Sequence, residues 1–343
     1  MLSLRQSIRN LPRFIRQFST ESVTCEEIKI PAPWGHIAGK WWGPQEKRPI
    51  LCSHGWEDNC GSFDTLIPRL PSHVGYLAID LPGHGLSSQL PPGVFYHRID
   101  NVVLLKRIVD YFNWSKVSLL GHSMGAIMNY QYTLLYPDTV DFLICIDGLK
   151  PLVHEDKRIE RMVKIIQNFI KYDYLNSLKK EPPAYAFEML EKMLHEGTMK
   201  SIALDSCKYI LKRNTAPSTK EPGKYYFTRD GRLKVSLESD LLGWAQKDIV
   251  DSAHRITCPL FASKASHSPF FENKQNLLEV IEVIKKSNKN FEIHNVEGTH
   301  HVHLNHPERL DSLISTFIKK YDVSDRSEGG LKSEIKINQA SSA

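Results

Sequence analysis

The stretch KVSLLGHSMGA, residues 116–126, decides the fold of this chain. Its first half, Lys116 to Leu120, is a short apolar run typical of a buried β-strand, and a helical pattern follows from Ser123 to Tyr136. A serine between two glycines at such a junction lies on a sharp turn that holds its hydroxyl above the end of the sheet. We therefore predict that Ser123 is a nucleophile and that the backbone amide of Met124, at the helix N-terminus, binds a developing oxyanion.

The same alternation of strands and helices extends in both directions from this turn. Helical spacing of apolar residues occurs at residues 96–113 and 275–286 and again at about 306–320. Strand-like apolar runs lie at residues 49–53, 75–80, 142–146, 259–263 and 291–296, and residues 25–43 have the pattern of a hairpin. Strands that alternate with helices predict an α/β fold with a mostly parallel central sheet and helices on both faces.

One long segment interrupts this rhythm. Residues 152–215 are helical in pattern, and Tyr225 to Leu237 has the pattern of a hairpin that turns at Asp230-Gly231. We therefore predict a core formed by residues 21–150 and 245–322, with a mainly helical cap inserted at 151–244. The polar residues 323–343 are predicted to be a disordered tail.

The charge of the chain is concentrated at its N-terminus. The net charge is +5, and the first 20 residues contain four arginines and no acidic residue. An arginine-rich, acid-free and amphipathic N-terminus predicts a mitochondrial transit peptide, with a disordered tail on a cytoplasmic or peroxisomal protein as the alternative. The remainder is close to neutral, which argues against a nucleic-acid partner. No apolar run approaches the ~18 residues of a membrane-spanning helix.

Two further motifs lie beside strand ends. The loop Ser53-His54-Gly55-Trp56 follows the first strand of the core, and the backbone of Trp56 is predicted to supply a second oxyanion amide. His300 comes just after the last strand and is the predicted general base. Its neighbours His301, His303 and His306 compete for this role, but His300 is closest to the strand end.

Metal and cofactor sites are not predicted. The six cysteines show no paired spacing and no CxxC motif, and the histidines around His300 show no HExxH spacing. The sequence therefore predicts a site without a metal or a cofactor.

Several motifs resemble those of the α/β-hydrolases, and among them those of the serine hydrolase-like proteins. They are IPAPWGHIAGKW at residues 30–41, HGWEDN at 54–59, IDLPGHGLSS at 79–88, and the GHSMG turn. The resemblance runs from about residue 26 to 320. It implies a helical cap after the sixth strand and a Ser–His–acid triad in which Ser123 matches the nucleophile and His300 the base.

The acid of the triad is where the sequence departs from the common pattern. Most α/β-hydrolases carry it after the seventh strand, but here no carboxylate follows that strand until Glu272. The alternative is Asp147, at the end of the sixth strand, where some members of the family carry their acid. The end of a core strand is a rigid place for a group that orients an imidazole, which favours Asp147 over Glu272.

A serine nucleophile decides among the activities of this fold. Haloalkane dehalogenases and epoxide hydrolases need an aspartate at this turn, whereas a serine forms an acyl-enzyme. The predicted partner is therefore a small-molecule carboxylic ester or thioester. The alternative is a ligand-binding protein with weak or no turnover, and a membrane lipase is disfavoured by the absence of a surface anchor. The sequence leaves the oligomeric state open.

Overall fold

The computed structural model describes residues 24–153, 158–235 and 243–322. The predicted transit peptide at residues 1–20 and the predicted tail at 323–343 lie outside the described residues.

Eight strands form one central sheet in the order β1-β2-β4-β3-β5-β6-β9-β10, and β7 and β8 form a separate antiparallel pair. Strands β1 and β2 are antiparallel to their neighbours, whereas the other six run parallel. The strands are β1 (Cys25–Ala32), β2 (Gly35–Trp42), β3 (Ile50–Ser53), β4 (Tyr76–Ile79), β5 (Val117–His122), β6 (Val140–Ile146), β7 (Thr215–Pro217), β8 (Tyr225–Phe227), β9 (Leu260–Ala265) and β10 (Phe291–Val296). The predicted mostly parallel sheet is confirmed.

Helices cover both faces of this sheet. The α-helices of the described residues are α1 (Arg98–Tyr111), α2 (Met124–Leu135), α3 (Arg158–Ser177), α4 (Phe187–Gly197), α5 (Cys207–Asn214), α6 (Gln246–Ser252), α7 (Lys274–Ser287), α8 (Val302–Asn305) and α9 (Asp311–Tyr321), of which α3, α4 and α5 do not pack on the sheet. Because successive side chains of a strand point to opposite faces, Leu119 packs in the apolar cluster with α1, α2 and α7. Leu120 packs in the cluster on the other face, with α9.

The segment between β6 and β9, which we call the insert, carries α3 to α6 and the β7–β8 pair. A small apolar cluster holds Leu190 and Leu194 of α4 together with Ile210 and Leu211 of α5, and it also includes Leu304 of α8. Among the described residues, no helix is both long and apolar enough to span a membrane.

The hairpin predicted at residues 225–237 is wrong. Strand β8 pairs with β7, and Gly231–Val235 forms a 3-10 helix. The reason is the buried carboxylate of Asp230, which accepts a hydrogen bond from the backbone amide of Arg232 at 2.9 Å and binds the Arg232 guanidinium. These bonds favour a helical turn at a dipeptide that commonly closes hairpins.

A buried ion pair joins the insert to the core. Asp80, at the end of β4, accepts hydrogen bonds from Nε and Nη2 of Arg213 in α5, at 3.0 and 2.7 Å. Its carboxylate also accepts the backbone amides of Cys60 and Leu86, both at 2.8 Å. Water can reach these two buried side chains only if α5 separates from the core. Each charge is therefore compensated mainly by the other residue of the pair.

We predict that Arg213→Met lowers the free energy of unfolding by about 3–5 kcal/mol, because it leaves the Asp80 carboxylate buried without its partner. Urea unfolding followed by tryptophan fluorescence measures this loss. The control is Asp110→Asn, which removes an exposed i,i+4 pair with Lys106 and should cost no more than about 0.5 kcal/mol. Equal losses for the two variants would contradict the role given to Arg213.

Candidate active site

Ser123 occupies a strained turn between β5 and α2. Its φ of 52° and ψ of −117° are unusual for a residue with a side chain, and its amide donates to the carbonyl of Ile146 at 3.0 Å. The helix behind it packs close to β3, because a Cβ at Gly125 would lie only 2.1 Å from the carbonyl oxygen of Ser53. Only glycine allows this approach, and the approach fixes where the Ser123 hydroxyl lies.

His300 lies in the loop after β10 and reaches back to Ser123. Its Nε2 is 2.8 Å from the Ser123 Oγ, and its Nδ1 is hydrogen-bonded to Oδ2 of Asp147. A carboxylate can only accept, so Nδ1 carries the hydrogen and Nε2 is left to accept the serine hydroxyl. The backbone carbonyl of His300 is held by Nε2 of His122, at 2.9 Å.

Asp147 follows β6 directly and is buried. While its Oδ2 binds His300, its Oδ1 accepts the backbone amide of Ala265 at 2.8 Å and the ammonium of Lys264 at 3.0 Å. Both carboxylate oxygens are therefore occupied, and the plane of the carboxylate is fixed.

The other candidate acid, Glu272, is committed elsewhere. It pairs with the buried Lys150 at 2.7 Å and accepts the backbone amide of Val153 at 3.1 Å. The structure thus brings Ser123, His300 and Asp147 into one hydrogen-bonded chain.

The residues proposed for the oxyanion site lie beside this chain. Trp56 and Met124 line the same cavity as Ser123. Met124 is the first residue of α2, so its amide points out of the helix N-terminus. The indole of Trp56 donates to the carbonyl of Leu233 at 2.9 Å, which ties the loop after β3 to the insert.

The cavity above Ser123 has a volume of about 510 Å³. Core and insert both contribute to its wall, which is mainly apolar. The apolar side chains include Ile127, Leu149, Leu152, Met193, Leu194, Met199, Phe227, Phe270 and Phe271. Its size suits a small molecule, and its lining favours an apolar group next to the serine.

A model of the α/β-hydrolase fold family matches residues 48–307. This chain belongs to the α/β-hydrolase fold family. It is 37% identical to a "probable serine hydrolase" of Drosophila melanogaster over 298 residues, which cover 86% of this chain and 88% of that protein. It is also 33% identical to a serine hydrolase-like protein of Danio rerio over 315 residues, 90% of this chain and 94% of that one.

Solved structures agree with the family. A hypothetical protein of Pseudomonas aeruginosa PAO1 superposes with a TM-score of 0.72 at 25% identity, covering 86% of this chain and 99% of that one. The thioesterase domain from the curacin biosynthetic pathway superposes with a TM-score of 0.67 at 20% identity, covering 85% and 99%. The second likeness shows the fold alone.

Sequence reasoning on this α/β-hydrolase missed some groups around the site. Lys264 was not anticipated as a partner of Asp147, although it lies in the strand next to β6, with which β9 pairs in parallel. Likewise, the meeting of His122 and His301 at Asp58 was not expected, because Asp58 and His301 are 243 positions apart in the sequence. Strand order could have suggested the first contact, but nothing local signals the second.

Burial sets the protonation of this site. It lowers the pKa of His300 to about 4, although the hydrogen bond to Asp147 acts in the opposite direction. Burial would also raise the pKa of Asp147, but the hydrogen bond and charge of His300, with the charge of Lys264, hold that pKa well below its usual range. His300 is therefore neutral and Asp147 ionised near pH 7, the states that a general base and its orienting acid require.

We predict that Ser123 loses its reactivity in acid only at a pH well below the ordinary pKa of histidine. The groups facing His300 are Asp147, which raises its pKa, and His122 and His301, which lower it. Because a lowered pKa keeps Nε2 free of a proton, reactivity should persist through pH 5.5 and fall as the pH approaches about 4. The rate of labelling by a fluorophosphonate, measured against pH, tests this. A midpoint at or above the model-peptide value of about 6.5 would contradict it.

Proposed function

We propose that this chain is a serine hydrolase that cleaves carboxylic esters or thioesters through an acyl-enzyme on Ser123. The observation that carries the proposal is the chain of hydrogen bonds from Ser123 Oγ to His300 Nε2 and from His300 Nδ1 to Asp147. Relatives whose names are "probable serine hydrolase" and "serine hydrolase-like protein" support it.

The mechanism follows from these contacts. Ser123 Oγ bonds to the acyl carbon while its proton passes to Nε2 of His300, and Asp147 stabilises the imidazolium that results. The amides of Trp56 and Met124 stabilise the negative charge that develops on the carbonyl oxygen. The leaving group then departs with the proton from Nε2. A water molecule next gives a proton to Nε2 of His300 as its oxygen bonds to the acyl carbon. The bond between the acyl carbon and Ser123 Oγ then breaks, Oγ takes the proton back from Nε2, and the carboxylic acid is released.

The cavity suggests where the acyl group lies. Its wall near Ser123 is apolar, so each methylene of an acyl chain that enters gains the free energy of leaving water. The polar groups around it are mostly paired, as Lys150 is with Glu272 and Lys264 with Asp147. These contacts support an uncharged, apolar acyl group as the part of the substrate that enters.

The feature that favours a binding protein without turnover is the segment after the seventh strand, which has no carboxylate before Glu272. The hydrogen bond between Asp147 and His300 supports Asp147 as the acid in its place, and so supports turnover over binding alone. No separate observation favours a function without turnover.

We predict that a fluorophosphonate labels the wild type and fails to label Ser123→Ala. Asp147→Asn should slow labelling by about 10³–10⁴-fold, because the imidazole loses its orientation and its tautomer. Glu272→Gln is the matched control, a second buried carboxylate on the same cavity whose partner is Lys150, and it should change the rate far less. Folded protein is verified by circular dichroism. A wild type that is folded but not labelled would overturn the proposed function.

We also predict how p-nitrophenyl esters of graded chain length behave. Over the first members, kcat/KM should rise by up to about fourfold per methylene, the ratio that corresponds to burying one CH₂. It should fall once the chain exceeds the cavity. A steady decline from acetate onward would contradict an apolar acyl site.

A further inference from the structure

A second group of polar side chains lies beside the site and has no role in the mechanism above. Asp58, His122 and His301 are buried, and all three contribute to the lining of the cavity. Oδ2 of Asp58 is 3.5 Å from Nδ1 of His122 and 3.3 Å from Nε2 of His301. One atom from each residue lies within 4.8 Å of the other two.

The tautomer of His122 makes this group unusual. Its Nε2 donates to the backbone carbonyl of His300, so a neutral ring has its lone pair at Nδ1. That lone pair faces the carboxylate oxygen of Asp58. Neither atom has a hydrogen-bond partner among the described residues. Two electron-rich atoms that face each other in a buried place need a positive charge between them.

His301 has the matching arrangement when its Nδ1 carries the hydrogen and donates it to the hydroxyl of Ser201. Its Nδ1 lies 2.8 Å from the hydroxyl of Ser201, and its other nitrogen faces the same Asp58 oxygen. In metal sites, a ligating histidine usually has its remaining nitrogen held by a carbonyl, a carboxylate or a similar group, which sets the tautomer and the ring orientation. Here His122 has a carbonyl in that position and His301 has a hydroxyl.

We propose that Asp58, His122 and His301 bind one divalent transition-metal ion, for which Zn²⁺ is the best match. Zinc takes imidazole nitrogens and carboxylate oxygens at about 2.0–2.2 Å, which separates the ligand atoms of a tetrahedral site by about 3.3–3.5 Å. The two contacts of Asp58 have these lengths. Two imidazoles among three ligands favour zinc over calcium or magnesium, which prefer oxygen.

The fourth coordination position would open toward the cavity. Because only three protein ligands are present, water or an oxygen of a bound molecule completes the tetrahedron. The site lies next to His300, whose ring centroid is 4.7 Å from that of His122 and 5.2 Å from that of His301. A metal ion here would therefore be reached from the space that holds the proposed substrate.

Metal binding can be measured without any assay of activity. The untagged, chelator-treated chain is dialysed against Zn²⁺, and bound metal is counted by mass spectrometry. We expect one zinc per chain in the wild type and in Glu272→Gln, whose carboxylate lines the same cavity but pairs with Lys150. Asp58→Asn and His301→Gln should lose this zinc.

A milder variant and a spectroscopic measurement complete the design. Ser201→Ala removes only the group that holds His301 and should weaken zinc binding by about 10–100-fold, as loss of such a supporting partner does. Co²⁺ bound to the wild type should give the intense visible absorption of a tetrahedral site. The Co²⁺ spectrum is recorded on the wild type, so it tests the proposal even if a variant fails to fold.

Two results would overturn the proposal. One is a wild type that takes up no stoichiometric zinc and gives no Co²⁺ band, which would mean that a proton on His122 supplies the charge facing Asp58. The other is zinc that remains bound equally well in folded Asp58→Asn, His301→Gln and Ser201→Ala. Failure of fluorophosphonate labelling bears only on the proposed function and is distinct from both.

Discussion

The contact between Gly125 and the carbonyl of Ser53 is the constraint on which the site depends. It brings the first turn of α2 against β3, so the chain must leave β5 through the strained conformation of Ser123. The amide of Ser123 is at the same time bonded to Ile146 at the end of β6. Ser123, the proposed nucleophile, is thus fixed against both β3 and β6, and Asp147 is the residue that directly follows β6. A larger residue at position 125 would clash with the backbone of Ser53 and displace the turn at Ser123.

Buried ion pairs determine how the insert lies over this edge of the sheet. Arg213 joins α5 to Asp80 at the end of β4, and Lys150 is paired with Glu272, which comes after β9. Removing one member of such a pair leaves a charge without water, whereas intact pairs add less to stability than their distances suggest. Their main effect is on geometry, because the insert can take few positions relative to the sheet in which every buried charge keeps its partner. Since insert and core both line the cavity, the shape of the cavity depends on this fixed position of the insert.

Local sequence patterns were sufficient for the parts of the fold that depend on local physics. Periodicity and glycine spacing predict the turn at Ser123, the neighbouring strands and the mostly parallel direction of the strands in the sheet. The 3-10 helix at Gly231–Val235, found where a hairpin was predicted, could not be foreseen because distant contacts hold its first residues. Asp230 accepts a hydrogen bond from Tyr96, and Arg232 donates to the carbonyls of Leu90 and Pro91 in the segment between β4 and α1. The hydrogen bond from Lys264 to Asp147 could not be predicted for the same reason, since Lys264 lies in β9 and Asp147 directly follows β6. Contacts between distant segments require the fold before they can be recognised.

The proposal of Asp147 over Glu272 as the acid of the triad rests on a contact of this kind. Each carboxylate is buried and each binds one lysine, so charge alone does not separate them. Orientation does, because Lys264 and the amide of Ala265 both bind Oδ1 of Asp147 and leave Oδ2 directed at His300. Glu272 instead directs its oxygens to Lys150 and the amide of Val153. An acid at the end of β6 can therefore orient the imidazole only because the neighbouring strand holds its other oxygen in place.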